Sequence, residues 1–268
     1  LERLDHLLSS HRAESDITRL SQNQAELRVS NETAEVLTLG LEVAYASAGA
    51  FDLTLGRLKE LWALDSFSAQ IPSATAVATA LAGTGPQAIK LSGQSVRKAQ
   101  PELQVDLGGV AKGYGVDRAV AVLKEYGVTS AAINAGGDMY LLGQQQTRPW
   151  RIGIQHPRRA DAVLETVQVS DRAVVTSGDY ERFFEHDGQR YHHLFDPKSG
   201  FPARGCRSVT IIADSVALAD ALATAVFVLG PKDGFKLLQK YPEVEGLVVD
   251  AQGQRHCSQG WGKYLVTP

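Results

Sequence analysis

The 268-residue chain is short of several features that would have narrowed its function at once. No uninterrupted apolar run approaches the ~20 residues of a membrane-spanning helix. Neither sign of charge dominates: the net charge of -3 leaves no electrostatic footprint for nucleic acid or an anionic membrane. The two cysteines, Cys206 and Cys257, lack metal-ligand spacing. They allow one bridge in an exported protein, but two free or buried thiols fit equally well. The histidines are scattered apart from His192-His193, and no HExxH or Cys/His cluster exists, which argues against a transition-metal site. There is neither a Walker A sequence nor a GxGxxG fingerprint, so the standard nucleotide readings fail. The one methionine is Met139 and the chain opens at Leu1, so it reads as a trimmed or mature form. The lack of a signal peptide then carries no information about compartment. Repeats and low-complexity linkers are missing too.

What remains is an ordinary globular composition, with 44% hydrophobic and 21% charged residues. Helical periodicity runs through Leu4, Leu7 and Leu8 from Leu1 to about Gln22. A second helix is expected over 31–49, with Asn31 as its cap and Val36, Leu37, Leu39, Leu41 and Val43 following. Phe51 to Gly56 reads as a short strand or extended turn. Residues 65–75 read as loop, leading to an Ala-rich helix that ends at Gly83. Beyond residue 88 the pattern shifts. A hairpin around Ser92-Gly93-Gln94 is expected, then a strand over Leu103–Val105 and a helix with Val116, Ala119, Val120 and Leu123 inward. Further strands are expected at 131–133, 151–155, 165–169, 173–176 and 209–213, the last running into a helix from Val216. Strands and helices mix without strict alternation. The expected class is α+β, in one compact domain spanning 1–268.

Five stretches could carry chemistry. The helix Val216-Ala217-Leu218-Ala219-Asp220-Ala221-Leu222-Ala223-Thr224 places one carboxylate among alanines, with a hydroxyl one turn later on the same face. A buried, unpaired carboxylate is costly, so Asp220 needs a partner that its own helix does not supply. A hard cation is one candidate. The alternative has Asp220 paired with Arg204 or Arg207, and Thr224 bonded to the carbonyl of residue 220. Asp106-Leu107-Gly108-Gly109-Val110-Ala111-Lys112-Gly113-Tyr114 lies where a strand should meet a helix, a place suited to a phosphate or simply to a tight turn with a surface lysine. Asn134-Ala135-Gly136-Gly137-Asp138 reads by itself as a hairpin turn or bulge. Thr176-Ser177-Gly178-Asp179-Tyr180 offers hydroxyls to a ligand or to a turn. In Tyr191-His192-His193-Leu194-Phe195-Asp196-Pro197 the adjacent imidazoles face opposite ways along a strand, so one of them can serve as a base while the two cannot share a metal.

The order of these stretches is more specific than any one of them. Together with Ser15-Asp16-Ile17-Thr18-Arg19-Leu20 and Phe51-Asp52-Leu53-Thr54-Leu55-Gly56, the succession resembles the ApbE family of flavin transferases over essentially the whole chain. The resemblance implies a mixed, mostly antiparallel sheet with packed helices. It also implies FAD as substrate, Mg2+ as cofactor, and transfer of FMN to a Ser or Thr hydroxyl of a target flavoprotein, with AMP released. Asp220, Thr224 and the Gly109 carbonyl, with the Ala223 region nearby, are the implied metal ligands. Asp106, Gly108, Lys112, Gly136, Gly137, Ser177, Gly178 and His193 are the implied FAD contacts, with His193 as base and Lys112 neutralising phosphoryl charge. Two other outcomes fit the same residues: an FAD pyrophosphatase yielding FMN and AMP, and a non-catalytic FAD-binding protein. The family usually has a strand and a glycine-containing segment ahead of the point where this chain starts, so an unpaired sheet edge is expected. Its usual setting is the bacterial cell envelope, periplasmic side, often through a lipid anchor, and no nucleic-acid partner is implied.

Overall fold

The computed structural model describes residues 1–22, 26–64 and 69–266, so positions 65–68 of the expected loop lie outside the described residues. The chain divides into two compact units, each made of two stretches: 1–111 with 182–202, and 112–181 with 203–268.

In the first unit the expected opening helix is two helices, α1 (Glu2–Leu8) and α2 (Asp16–Ser21). Ser9 is extended, and Ser15 restarts the helix by accepting a bond from the Thr18 amide. After β1 (Glu26–Arg28) comes α3 (Asn31–Ala46), capped by Ser30 rather than by Asn31 as expected. The buried Asp16 carboxylate accepts from both the Ser30 amide and the Thr33 hydroxyl at 2.8 Å, tying α2 to the start of α3. Phe51 to Gly56 is a turn. Asp52 Oδ1 accepts from the Thr54 amide and hydroxyl, and that hydroxyl accepts from the Gly85 amide at 2.8 Å. The turn launches α4 (Gly56–Trp62), followed by the Ala-rich α5 (Ala74–Leu81). The expected hairpin is present as β2 (Ile89–Ser92) and β3 (Ser95–Lys98), with β1 added alongside in the order β1-β3-β2.

Leu103–Val105 is not a strand. Its backbone is held instead by side-chain and turn bonds: Lys98 Nζ donates to the carbonyls of Pro101 and Leu103, and the Gly56 amide donates to Gln104. Trp62 is wholly buried at the centre of this unit's core with Leu58, Val77, Tyr191 and Phe195, and its indole donates to the Gly200 carbonyl at 2.9 Å.

The second unit opens with α6 (Ala111–Glu125), whose buried face carries Gly113, Tyr114, Val116 and Val120. Then come β4 (Ala131–Ala135), β5 (Asp138–Leu142), β6 (Trp150–His156), β7 (Arg159–Val169) and β8 (Arg172–Gly178). The chain returns to the first unit for the hairpin of β9 (Phe183–His186) and β10 (Gln189–His192). Back in the second unit it forms β11 (Cys206–Ala213), α7 (Val216–Leu238), β12 (Glu245–Asp250) and β13 (Arg255–Cys257). Six strands make an antiparallel sheet in the order β13-β12-β11-β8-β5-β4, and β6 and β7 form a separate ribbon. Leu141, Val167, Val174, Ile212, Leu247 and Trp261 join the sheet and the ribbon in one core. The helix α7 packs on β11, β8 and β12, and bends at Gly230, whose φ of 74° precedes Pro231. The α+β class with a mostly antiparallel sheet is therefore as expected. Cys206 is buried and Cys257 exposed, both as free thiols.

Candidate active site

In the second unit, α6 and α7 are fastened end to side by one carboxylate. Asp117 accepts from the Ser215 hydroxyl at 2.8 Å and from the amides of Val216 and Ala217 at 2.8 and 3.0 Å. These amides are unsatisfied donors of the first helical turn, so the contact both caps α7 and matches its dipole. Gly113 allows the close approach, because a Cβ there would lie 2.6 Å from the Val216 carbonyl oxygen. The same approach brings the Gly113 amide to the Asp220 carboxylate.

Asp220 is 6% exposed, and its Oδ2 has no donor among the described residues. Burial and the neighbouring Asp138 carboxylate push its pKa well above the usual carboxylate range. Asp138 is 1% exposed, and burial raises it too, against the pull of Lys112. The two carboxyl groups face each other at hydrogen-bond range, a contact that holds only while one of them carries a proton. Without that proton, Oδ2 of each is orphaned. Lys112 Nζ lies 2.9 Å from Asp138 Oδ1 and donates to the Gly136 carbonyl at 3.3 Å. Thr224 is half-buried, one turn beyond Asp220. Arg207 spends its guanidinium on the Ala251 carbonyl, at 3.0 and 2.7 Å.

The Gly136-Gly137 pair is a hairpin turn between β4 and β5, with φ of 58° and 97°, values that suit glycine. Asn134 Oδ1 accepts from the Gly137 amide at 2.9 Å. Among the described residues, chain neighbours aside, nothing lies within 4 Å of where a Cβ would stand on either glycine, so the turn is open to an approaching group. Ser177 and Gly178 end β8 and pair with Val209 and Ser208 of β11. A Cβ on Gly178 would meet the Tyr180 ring at 2.4 Å, so any side chain there would have to displace that ring. Burial drives the Tyr180 hydroxyl up to about 12.

Asp106, Gly108, Gly109 and His193 belong to the first unit. Asp106 Oδ1 accepts from Lys59 Nζ at 2.9 Å and from the Gly108 amide at 3.2 Å, which leaves Gly108 exposed and Gly109 partly so. His193 Nδ1 is 3.4 Å from the Arg182 carbonyl, which also accepts from the His193 amide at 3.2 Å. Burial, reinforced by the Arg182 charge, pulls the His193 pKa down to about 4, so the ring is neutral at pH 7. His192 is buried, and its Nδ1 accepts from the Leu194 amide.

The structure thus gathers Lys112, the Gly136 carbonyl and Asp220 around a residue the sequence reading passed over, Asp138. Its signal was present. Asp138, Tyr140 and Leu142 share one buried face of β5, so an acid stands at a core-facing strand position, much as Asp220 stands among alanines. Among the described residues no three His, Cys, Asp or Glu side chains gather as a metal cluster. A cation here would rest on two carboxylates and neutral oxygens.

The pattern of the ApbE family matches residues 1–248, and the chain belongs to that family. It is 35% identical to the FAD:protein FMN transferase of Treponema pallidum (strain Nichols), over 97% of this chain and 77% of that one. It is 33% identical to the FAD:protein FMN transferase of Klebsiella pneumoniae (strain 342), over 93% and 79%. Among solved structures, the ApbE protein of Thermotoga maritima superposes with a TM-score of 0.90 at 34% identity, covering 99% of this chain and 88% of that one. The flavin transferase ApbE of Vibrio cholerae gives 0.89 at 30% identity, covering 99% and 87%.

Proposed function

We propose that this chain transfers the FMN half of FAD to a Ser or Thr hydroxyl of an acceptor flavoprotein and releases AMP, with Mg2+ as the cation. Family membership supports the transferase reading. The observation that carries the cation is the buried Asp220 oxygen, with no donor among the described residues, set against a second buried carboxylate and Lys112. Those atoms fit a hard, oxygen-seeking ion. Asp220 and the Thr224 hydroxyl would hold it, with the Gly109 carbonyl assigned from the resemblance. When bound, the ion supplies charge neutralisation to the pyrophosphate oxygens.

The rest of the chemistry falls to side chains of this chain. With Nδ1 donating to the Arg182 carbonyl, His193 keeps the Nε2 lone pair free to take the proton of the acceptor hydroxyl. The new bond joins that hydroxyl oxygen to the FMN phosphorus, and the bond to the bridging oxygen breaks as AMP leaves. Lys112 brings positive charge to the Gly136 turn, whose open face lets an anionic group approach. Asp106, Gly108, Gly137, Ser177 and Gly178 complete the proposed FAD contacts. Cell-envelope placement belongs to the same reading, on family resemblance.

One incubation tests it: the chain with FAD, Mg2+ and a flavin-carrier domain, followed by intact mass. Transfer adds the mass of FMN minus water to the carrier. Free FMN with an unchanged carrier would instead identify a pyrophosphatase, and unchanged FAD a binding protein.

A further inference from the structure

We infer that Asp138 is the second carboxylate of the cation site, with Oδ1 held by Lys112 and Oδ2 turned, alongside Asp220 Oδ2, toward the ion. The inference rests on the cation reading above and extends it to a residue outside the set that the resemblance supplied.

Three observations converge on it. First, Asp138 and Asp220 are both nearly closed to water, and among the described residues the ion pair at this site is that of Lys112 with Asp138 Oδ1 at 2.9 Å. Two ionised carboxylates and one ammonium would leave a buried negative charge, so the pair requires either a shared proton or a cation in its place. Second, buried polar atoms are normally satisfied, yet among the described residues Oδ2 of each acid has no donor. A carboxylate whose only task was to pair Lys112 could turn its second oxygen to a backbone amide or to solvent. Asp138 instead keeps that oxygen buried, with its carboxyl group beside that of Asp220. Third, the backbone fixes both acids. Asp138 begins β5 at the end of the Gly136-Gly137 turn, and its strand pairs with β8 at Met139–Leu141. Asp220 is set by α7, which is clamped to α6 through Asp117. Both acids thus stand on anchored backbone. Hard divalent ions are commonly held by one or two carboxylates together with neutral oxygens and substrate phosphates.

The test is direct binding of Mn2+ alone, followed by electron paramagnetic resonance on the nucleotide-free chain, for the parent, Asp138→Asn and Asp220→Asn. The isosteric amide keeps the shape and removes the charge. Mn2+ affinity should fall at least tenfold in Asp138→Asn, and binding should be lost in Asp220→Asn. If Asp138→Asn binds Mn2+ within twofold of the parent while Asp220→Asn does not bind, Asp138 is only the partner of Lys112 and the inference is wrong. If the parent itself fails to bind Mn2+, or Asp220→Asn binds as the parent does, the cation reading beneath it fails too. Should Asp138→Asn not fold, anomalous scattering from Mn2+ in crystals of the parent decides the matter. A peak at ~2.1 Å from a carboxylate oxygen of Asp138 supports the inference, and a peak bonded to Asp220 without Asp138 overturns it.

Discussion

Asp220 and His193 are each defined by what surrounds them rather than by their own chemistry. Asp220 has the Gly113 amide, a facing carboxylate and the charge of Lys112, and among the described residues no donor reaches its Oδ2. Replacing it by Asn should lower FMN transfer at least ~100-fold at saturating Mg2+, read as carrier mass against time. A variant that transfers at the parental rate would remove Asp220 from the site. His193 carries a prediction in pH. Its folded pKa is depressed from the ordinary 6.5 to about 4, so the neutral base is available above that value and is lost as pH falls through it. The acid limb of kcat/KM that belongs to His193 should therefore fall well below pH 6.5, and His193→Gln should cost roughly 10²–10⁴-fold. A limb at 6.5 that persists in His193→Gln would mean that another group is the base, and one that disappears would mean that the ring titrates as in water. The same shift makes this histidine a stability group. The unfolded chain takes up its proton near 6.5 while the folded one does not, so stability present above 6.5 declines as pH drops toward 4.

Two helices and one carboxylate form the device that positions α7. Asp117 satisfies two helix-start amides and the Ser215 hydroxyl, so Asp117→Ala should cost about 1–3 kcal/mol in urea unfolding. Gly113→Ala should be destabilising by a similar ~1–3 kcal/mol through a clash rather than a lost bond, because the new methyl meets backbone at Val216 and Ala217. It should also lower the thermal midpoint without altering Asp117. If Gly113→Ala melts with the parent, α6 and α7 do not approach as closely as described. At this scale the sequence was legible where periodicity or turn chemistry was strong: the Ser92-Gly93-Gln94 hairpin, the β11 run and the Ala-rich α5 all form. It was illegible for α4, which spans seven residues and shows only Leu58 and Trp62 as buried positions, too few for a period to register. Leu103–Val105 looks like a strand because it is apolar and extended, but a lysine and a turn take its backbone bonds in place of a neighbouring strand.

Across the whole molecule, the chain passes between its two units at 111–112, 181–182 and 202–203, so neither unit is a continuous segment. In the second unit β11 stands between β12 and β8 and comes from the later stretch. Residues 112–181 expressed alone would lack that central strand and α7, leaving β8 with an unpaired edge. This fragment should show no cooperative thermal transition and no near-ultraviolet circular dichroism. A sharp transition would contradict the described sheet order.

Local order decided what the sequence could announce. Glycine pairs at turns, an acid isolated among alanines and the succession of motifs are properties of neighbours along the chain, and they sufficed for the fold class and for the family. The partners of those residues are a different matter. Asp138 meets Asp220 and Lys112 because the β4–β5 hairpin, α6 and α7 are packed together, and Asp117 caps a helix about a hundred residues away. Which charges are desolvated together depends on strand order and helix packing, and no periodicity records it. The carboxylate that needed a partner was visible in the sequence, but only the tertiary structure set a second carboxylate against it.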